Sequence, residues 1–121
     1  MTFLYANGYL YSTVGDLERW DQSLTTPTLV SQQSLGAMFT SYVAIPTSDP
    51  YTESCGYGYG WGINQEGSLR VISHSGWISG YRAYNGWYPD HQTTIIILDN
   101  LDTADPVPIA IDLQGMLFRN R

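Results

Sequence analysis

His74-Ser75-Gly76 closes the run Leu69-Arg70-Val71-Ile72-Ser73, so an imidazole, a hydroxyl and a bare backbone follow one another. Serine attacks only with help, because its hydroxyl is a weak nucleophile at neutral pH. Taken by itself, a histidine there is a strand-end side chain satisfied by a neighbour. The 121 residues contain no lysine, and five arginines are the only fixed cations. Cys55 is the single cysteine and permits no internal disulfide. It has no Cys or His at metal-ligand spacing and no cation nearby in sequence to lower its pKa, so it reads as a structural thiol. No metal or cofactor is expected. His91, in a Pro-Asp-His turn, reads as solvated.

These residues need elements to hold them. Thr13 caps a first helix, with Asp16 three residues on completing a capping-box variant. Val14, Leu17, Trp20 (or Asp21) and Leu24 recur at helical spacing, Glu18, Arg19 and Gln22 point outward, and Pro27 ends the helix. A second helix is predicted over 31–39, with Ser31 as cap and Leu35, Met38 and Phe39 as its stripe. Residues 42–56, with Pro46 and Pro50, read as a surface loop. Strand signals then dominate. Tyr57-Gly58-Tyr59-Gly60-Trp61-Gly62-Ile63 alternates large residues with glycine, which as one strand would put every large residue on one face. The glycines imply close approach, either by a ligand or by a helix lying tightly on the sheet. A turn at 64–67, a strand at 69–74, a turn at 75–80 and a strand at 81–88 follow. A turn at 89–92 leads to a β-branched strand at 93–98, read as central and buried on both faces. Asp105 caps a last helix with Pro106 in its first position, and Ile109, Leu113, Met116 and Leu117 are its expected buried stripe. Two helices, a meander of antiparallel strands and a final helix make an α+β layer arrangement, an antiparallel meander sheet flanked by helices.

Composition narrows the function. Apolar residues are 43% of the chain and charged residues 13%, with 10 Tyr, 4 Trp and 3 Phe. That is a core-forming chain of one domain or part of one. A formal net charge of −6 without a basic patch argues against nucleic acid and against anionic membrane surfaces. The acids are scattered, which reads as solubility. No run reaches the ~18 apolar residues that span a bilayer, and residues 1–11 have no basic region of the signal-peptide kind.

Three segments in order resemble the C-terminal portion of the class C β-lactamase-like family of serine hydrolases, which includes penicillin-binding proteins, D-alanyl-D-alanine carboxypeptidases and esterases. They are Gly8-Tyr9-Leu10-Tyr11-Ser12-Thr13-Val14-Gly15-Asp16-Leu17-Glu18-Arg19-Trp20, then Tyr57-Gly58-Tyr59-Gly60-Trp61, then His74-Ser75-Gly76 with Gly80, Tyr88-Pro89-Asp90 and the run Thr93 to Asn100. The resemblance implies a partial β-lactamase/transpeptidase-like fold and a site built from Ser-x-x-Lys, Tyr-x-Asn and a third box, Lys-Thr-Gly or His-x-Gly, on a sheet strand. It implies that His74 contacts the substrate carboxylate or the proton network, that Ser75 offers its hydroxyl to the substrate, and that Gly76 lets the ligand lie against the strand. The backbone N–H of Trp77 would be the strand's oxyanion donor. It also suggests an extracytoplasmic location.

The departures bear on activity. Without lysine there is no Ser-x-x-Lys box. Tyr5-Ala6-Asn7 spells Tyr-x-Asn but lies directly against the Gly8 segment, where the family separates the two, and reads as coincidence. Residues 1–121 are therefore expected to be the rear portion of a serine hydrolase domain, inactive alone, whose nucleophile lies on an N-terminal part outside them. Its partners would be that part, the parent's small-molecule or peptide substrate, and further copies of itself covering a bare strand edge and apolar face. The alternative is a non-catalytic module that binds peptidoglycan-type peptides or self-associates.

Overall fold

A computed structural model of the chain describes residues 8, 10–45 and 56–118. Tyr5-Ala6-Asn7 and Cys55 lie outside the described residues. Helix α1 (Val14–Ser23) and helix α2 (Gln32–Met38) come first, then strands β1 (Val43–Ala44), β2 (Gly56–Tyr57), β3 (Gly62–Glu66), β4 (Leu69–Ile78), β5 (Tyr81–Tyr88) and β6 (Thr93–Asp99), then helix α3 (Pro106–Phe118). The strands form one antiparallel sheet in the order β1-β2-β3-β4-β5-β6. Among the described residues no helix is long and apolar enough to cross a membrane.

The helix starts obey the capping logic of the sequence. Asp16 N–H donates to Thr13 Oγ1 at 3.2 Å, and Thr13 Oγ1 donates to Asp16 Oδ2 at 3.0 Å. Ser34 N–H donates to Ser31 Oγ at 3.1 Å, and Val107 N–H to Asp105 Oδ1 at 3.1 Å. Each such cap is worth about 1 kcal/mol. On α1 the inward residue is Asp21 rather than Trp20, since Trp20 is exposed and Asp21 and Leu24 are buried.

The sheet carries a core on each face. Val71, Tyr84, Tyr88 and Ile95 pack with Ala110, Val107 and Phe118 of α3. Ile72 packs with Leu24, Leu35 and Phe39, flanked by Trp61, Ile63 and Trp87. Period two explains the division: Val71 and Ile72 are consecutive on β4 and turn to opposite faces.

Six expectations need correction. Residues 64–66 are not in a turn but pair with β4 as the end of β3. Residues 57–63 are not one strand. The chain folds back between β2 and β3, with Gly60 at φ +78°, and Gly58 N–H donates to Trp61 O at 2.8 Å across the turn. Gly58 lies against the end of α2, so its bare backbone meets the helix, and Tyr59 N–H donates to Met38 O at 3.1 Å. Residues 75–78 are not a turn but the second half of β4, because Ser75, Gly76, Trp77 and Ile78 pair with Tyr84, Ala83, Arg82 and Tyr81. The segment 42–56 is not wholly loop, since Val43–Ala44 and Gly56 pair in the sheet. Strand β6 is not central. It is the last strand of the sheet, its β-branched residues covered by α1 and α3, and among the described residues no strand pairs with its outer side. Finally, α3 buries Pro106 and Ala110 and packs Val107 and Phe118. Ile109, Leu113, Met116 and Leu117 are exposed. The helix is apolar nearly all round, so periodicity alone chose the wrong face.

Candidate active site

Strand β4 is ten residues long, but β3 pairs with it only from Leu69 to Ser73. From His74 onward β5 is its recorded partner. Alternate residues of that overhang therefore turn their N–H and C=O toward a side on which no described strand pairs. His74 is the first residue of the overhang, and it is exposed.

The imidazole is held at both nitrogens. Nδ1 lies 2.6 Å from the Ser75 carbonyl oxygen, and Nε2 lies 2.9 Å from Tyr57 Oη. A carbonyl oxygen only accepts, so Nδ1 carries the hydrogen. In the neutral ring Nε2 is then the acceptor, and the Tyr57 hydroxyl donates to it. The Tyr57 and His74 rings meet edge to face, centroids 6.0 Å apart. His74 can thus take a proton at Nε2 and pass one through Tyr57.

The other three predicted residues follow along the same strand. Ser75 is half-buried and Gly76 is exposed opposite Ala83. Trp77 is 62% exposed, with the Arg82 guanidinium 4.2 Å above its ring. Asp102 ties down the tip of this hairpin: its Oδ2 accepts from Gly80 N–H at 3.1 Å and its backbone oxygen from Arg82 Nε at 3.0 Å. All four residues thus lie on β4, but period two turns His74 and Gly76 to the α1 face and Ser75 and Trp77 to the α3 face. His91 is exposed but not simply solvated, because its ring stacks on Phe118 at 4.4 Å.

A cavity of about 360 Å³ opens between the helices and the sheet, lined by Leu24, Leu35, Phe39, Arg70, Ile72 and Trp87 among others. His74 is not in its lining. The described residues contain no group of three or more His, Cys, Asp or Glu able to hold a metal ion.

Sequence reasoning missed Tyr57 as a partner of His74, although it stands in one of the three quoted segments. It also gave no role to Asn85, the register partner of His74 on β5. Asn85 Nδ2 donates to Asp21 Oδ1 of α1 at 2.9 Å. Burial pushes the Asp21 carboxyl above the ordinary aspartate range, and the hydrogen bond from Asn85 partly offsets this.

An antiparallel six-stranded sheet packed with three helices is a fold this chain shares with solved penicillin-binding protein homologues. The chain belongs to the Beta-lactamase family, whose model matches residues 2–114. It is 33% identical over 98 residues to penicillin-binding protein 4* of Bacillus subtilis (strain 168), a match covering 80% of this chain and 21% of that protein. Its fold is similar to the octameric penicillin-binding protein homologue from Pyrococcus abyssi, with TM-score 0.78 and 27% identity over 89% of this chain and 24% of that one. A penicillin-binding protein from Bacillus halodurans has the same fold at 16% identity, with TM-score 0.74 over 87% of this chain and 30% of that one. The chain thus spans between a fifth and a third of the length of these relatives.

Proposed function

We propose that this chain forms one wall of the reaction cleft of a serine hydrolase that cleaves amide or ester bonds through an acyl-serine intermediate. His74-Ser75-Gly76 is its His-x-Gly box. The observation that carries this reading is the exposed His74, hydrogen-bonded at both ring nitrogens at the start of an overhanging strand. In the role proposed, His74 exchanges a proton with the reacting groups at Nε2, and Ser75 and the overhanging backbone line the substrate. Trp77 N–H is the proposed oxyanion donor, acting where charge develops on the carbonyl oxygen.

The nucleophile and its base are proposed to lie outside these 121 residues, because a Ser-x-x-Lys pair needs a lysine and the chain has none. A penicillin or chromogenic ester should acylate a full-length protein containing this chain together with a Ser-x-x-Lys box. The 121 residues alone should turn over neither. Failure of the full-length protein to label with any such probe, or turnover by the chain alone, would refute the reading.

A second reading, self-association, rests on a separate observation. Among the described residues no strand pairs with the outer edge of β6, and α3 exposes Ile109, Ile111, Leu113, Met116 and Leu117, with Met116 at 75%. Single apolar side chains on a surface are ordinary, but a helix displaying five invites a partner. One structural relative is described as octameric. Light scattering of the chain is expected to give a mass above the monomer's, and a monomer throughout the micromolar range would rule this out.

A further inference from the structure

Helix α1 meets the sheet beside His74 through a polar pair to which the proposed chemistry gives no task. Asp21 is 2% exposed, and its Oδ1 accepts the hydrogen bond from Asn85 Nδ2. Two further oxygens of this pair, Asp21 Oδ2 and Asn85 Oδ1, are buried without a hydrogen-bond partner. With Asp21 ionised, both oxygens are acceptors and neither can satisfy the other. One proton resolves both, because a protonated carboxyl gains an O–H donor.

We propose that Asp21 is protonated at Oδ2 and donates to Asn85 Oδ1, so that two hydrogen bonds and no net charge clamp α1 to β5 at the residue paired with His74. Asp21 and Asn85 are then positioning residues. That the clamp steadies a reaction-site histidine rests on the function proposed above; the clamp itself does not.

The surroundings support a neutral pair. Leu24, Phe39, Trp61 and Trp87 close around Asp21. The ionisable groups nearby are engaged elsewhere or exposed. On α1, Asp16 and Arg19 pair with each other at 2.9 Å and Glu18 is exposed. On β4, the Arg70 guanidinium donates to the Phe39 carbonyl oxygen at 2.8 Å, and both nitrogens of His74 are bonded. On β5 and β6, Arg82 and Asp99 are register partners on the opposite face of the sheet, the one turned toward α3. The burial that raises the Asp21 pKa acts in the same direction.

A carboxyl raised in the folded state contributes stability that is complete below its unfolded pKa, about 3.9. That contribution is lost as pH rises through the folded value. The test uses the chain without substrate, at about pH 5, where exposed aspartates are ionised. Its infrared spectrum should contain the carbonyl stretch of an un-ionised carboxyl that disappears in Asp21→Asn. Asn at position 21 can make both hydrogen bonds without a proton. Asp21→Asn should therefore keep Tm and the His74 ring NMR resonances, and it should flatten the fall of Tm with pH above about 3.9. Asp21→Ala should lower Tm by roughly 5–15 °C and shift the His74 resonances. A carboxylate signal from Asp21 at that pH, or an Asp21→Asn variant as damaged as Asp21→Ala, overturns the proposal. Should Asp21→Ala fail to fold, the infrared band and Asp21→Asn still decide. None of these readouts involves acylation, so a full-length protein that never labels would remove the proposed function and leave the clamp standing.

Discussion

Replacing His74 by alanine in the full-length protein is expected to slow acylation by a β-lactam or chromogenic ester about 100-fold or more. The protein should keep its melting temperature within a few degrees. Proton transfer by a positioned side chain typically contributes 10²- to 10⁴-fold, and that is the role proposed for His74. Its Nδ1 hydrogen is tied to the Ser75 carbonyl oxygen, which leaves Nε2 as the basic nitrogen beside the Tyr57 hydroxyl. Because the ring is exposed, removing it costs only a solvent-side hydrogen bond, about 1 kcal/mol. Stopped-flow acylation rates measured beside thermal melts separate the two effects. An alanine variant acylated within about threefold of the parent's rate, against the ~100-fold expected, would remove His74 from the chemistry.

Two glycines should respond in opposite directions to the same substitution. A methyl on Gly58 would collide with the Met38 carbonyl oxygen and stand 2.9 Å from that of Thr40. Both atoms are backbone and neither can swing away. Gly58→Ala should therefore destabilise the chain by about 1–3 kcal/mol, the ordinary cost of overpacking. Gly36, inside α2, has nothing within 4 Å of the position a methyl would take. Gly36→Ala should stabilise by up to about 1 kcal/mol, because alanine is the better helix former. Urea unfolding of both variants reads the sign directly. A neutral Gly58→Ala would mean that α2 does not rest on the β2–β3 turn.

What the sequence could disclose follows from how local each cause is. Thr13, Ser31 and Asp105 were legible as caps because a cap is decided within three residues. The order of helices, meander and helix was legible for the same reason. The edge position of β6 was not, because a β-branched run covered by helices on both faces looks like a central strand. The buried side of α3 was hidden by a helix apolar nearly all round. His74, Ser75, Gly76 and Trp77 were named as candidates through the three ordered segments, but the contacts that hold His74 were not visible there. Tyr57 reaches His74 across 17 residues, and Asp21 reaches Asn85 across 64. No periodicity within a single element encodes such meetings. Asp21 surfaced only as an alternative to Trp20 on a helical stripe, with nothing to mark it as the residue that faces β5.

Each strand in the sheet lies beside its predecessor in the sequence. The hairpins joining β3 to β4 and β4 to β5 turn within two residues each. Such a topology has low contact order, and the entropy of closing each short loop is small. The sheet can therefore zip outward from the β3–β4–β5 hairpins. His74 would acquire its register early in folding, before any remote segment needs to arrive.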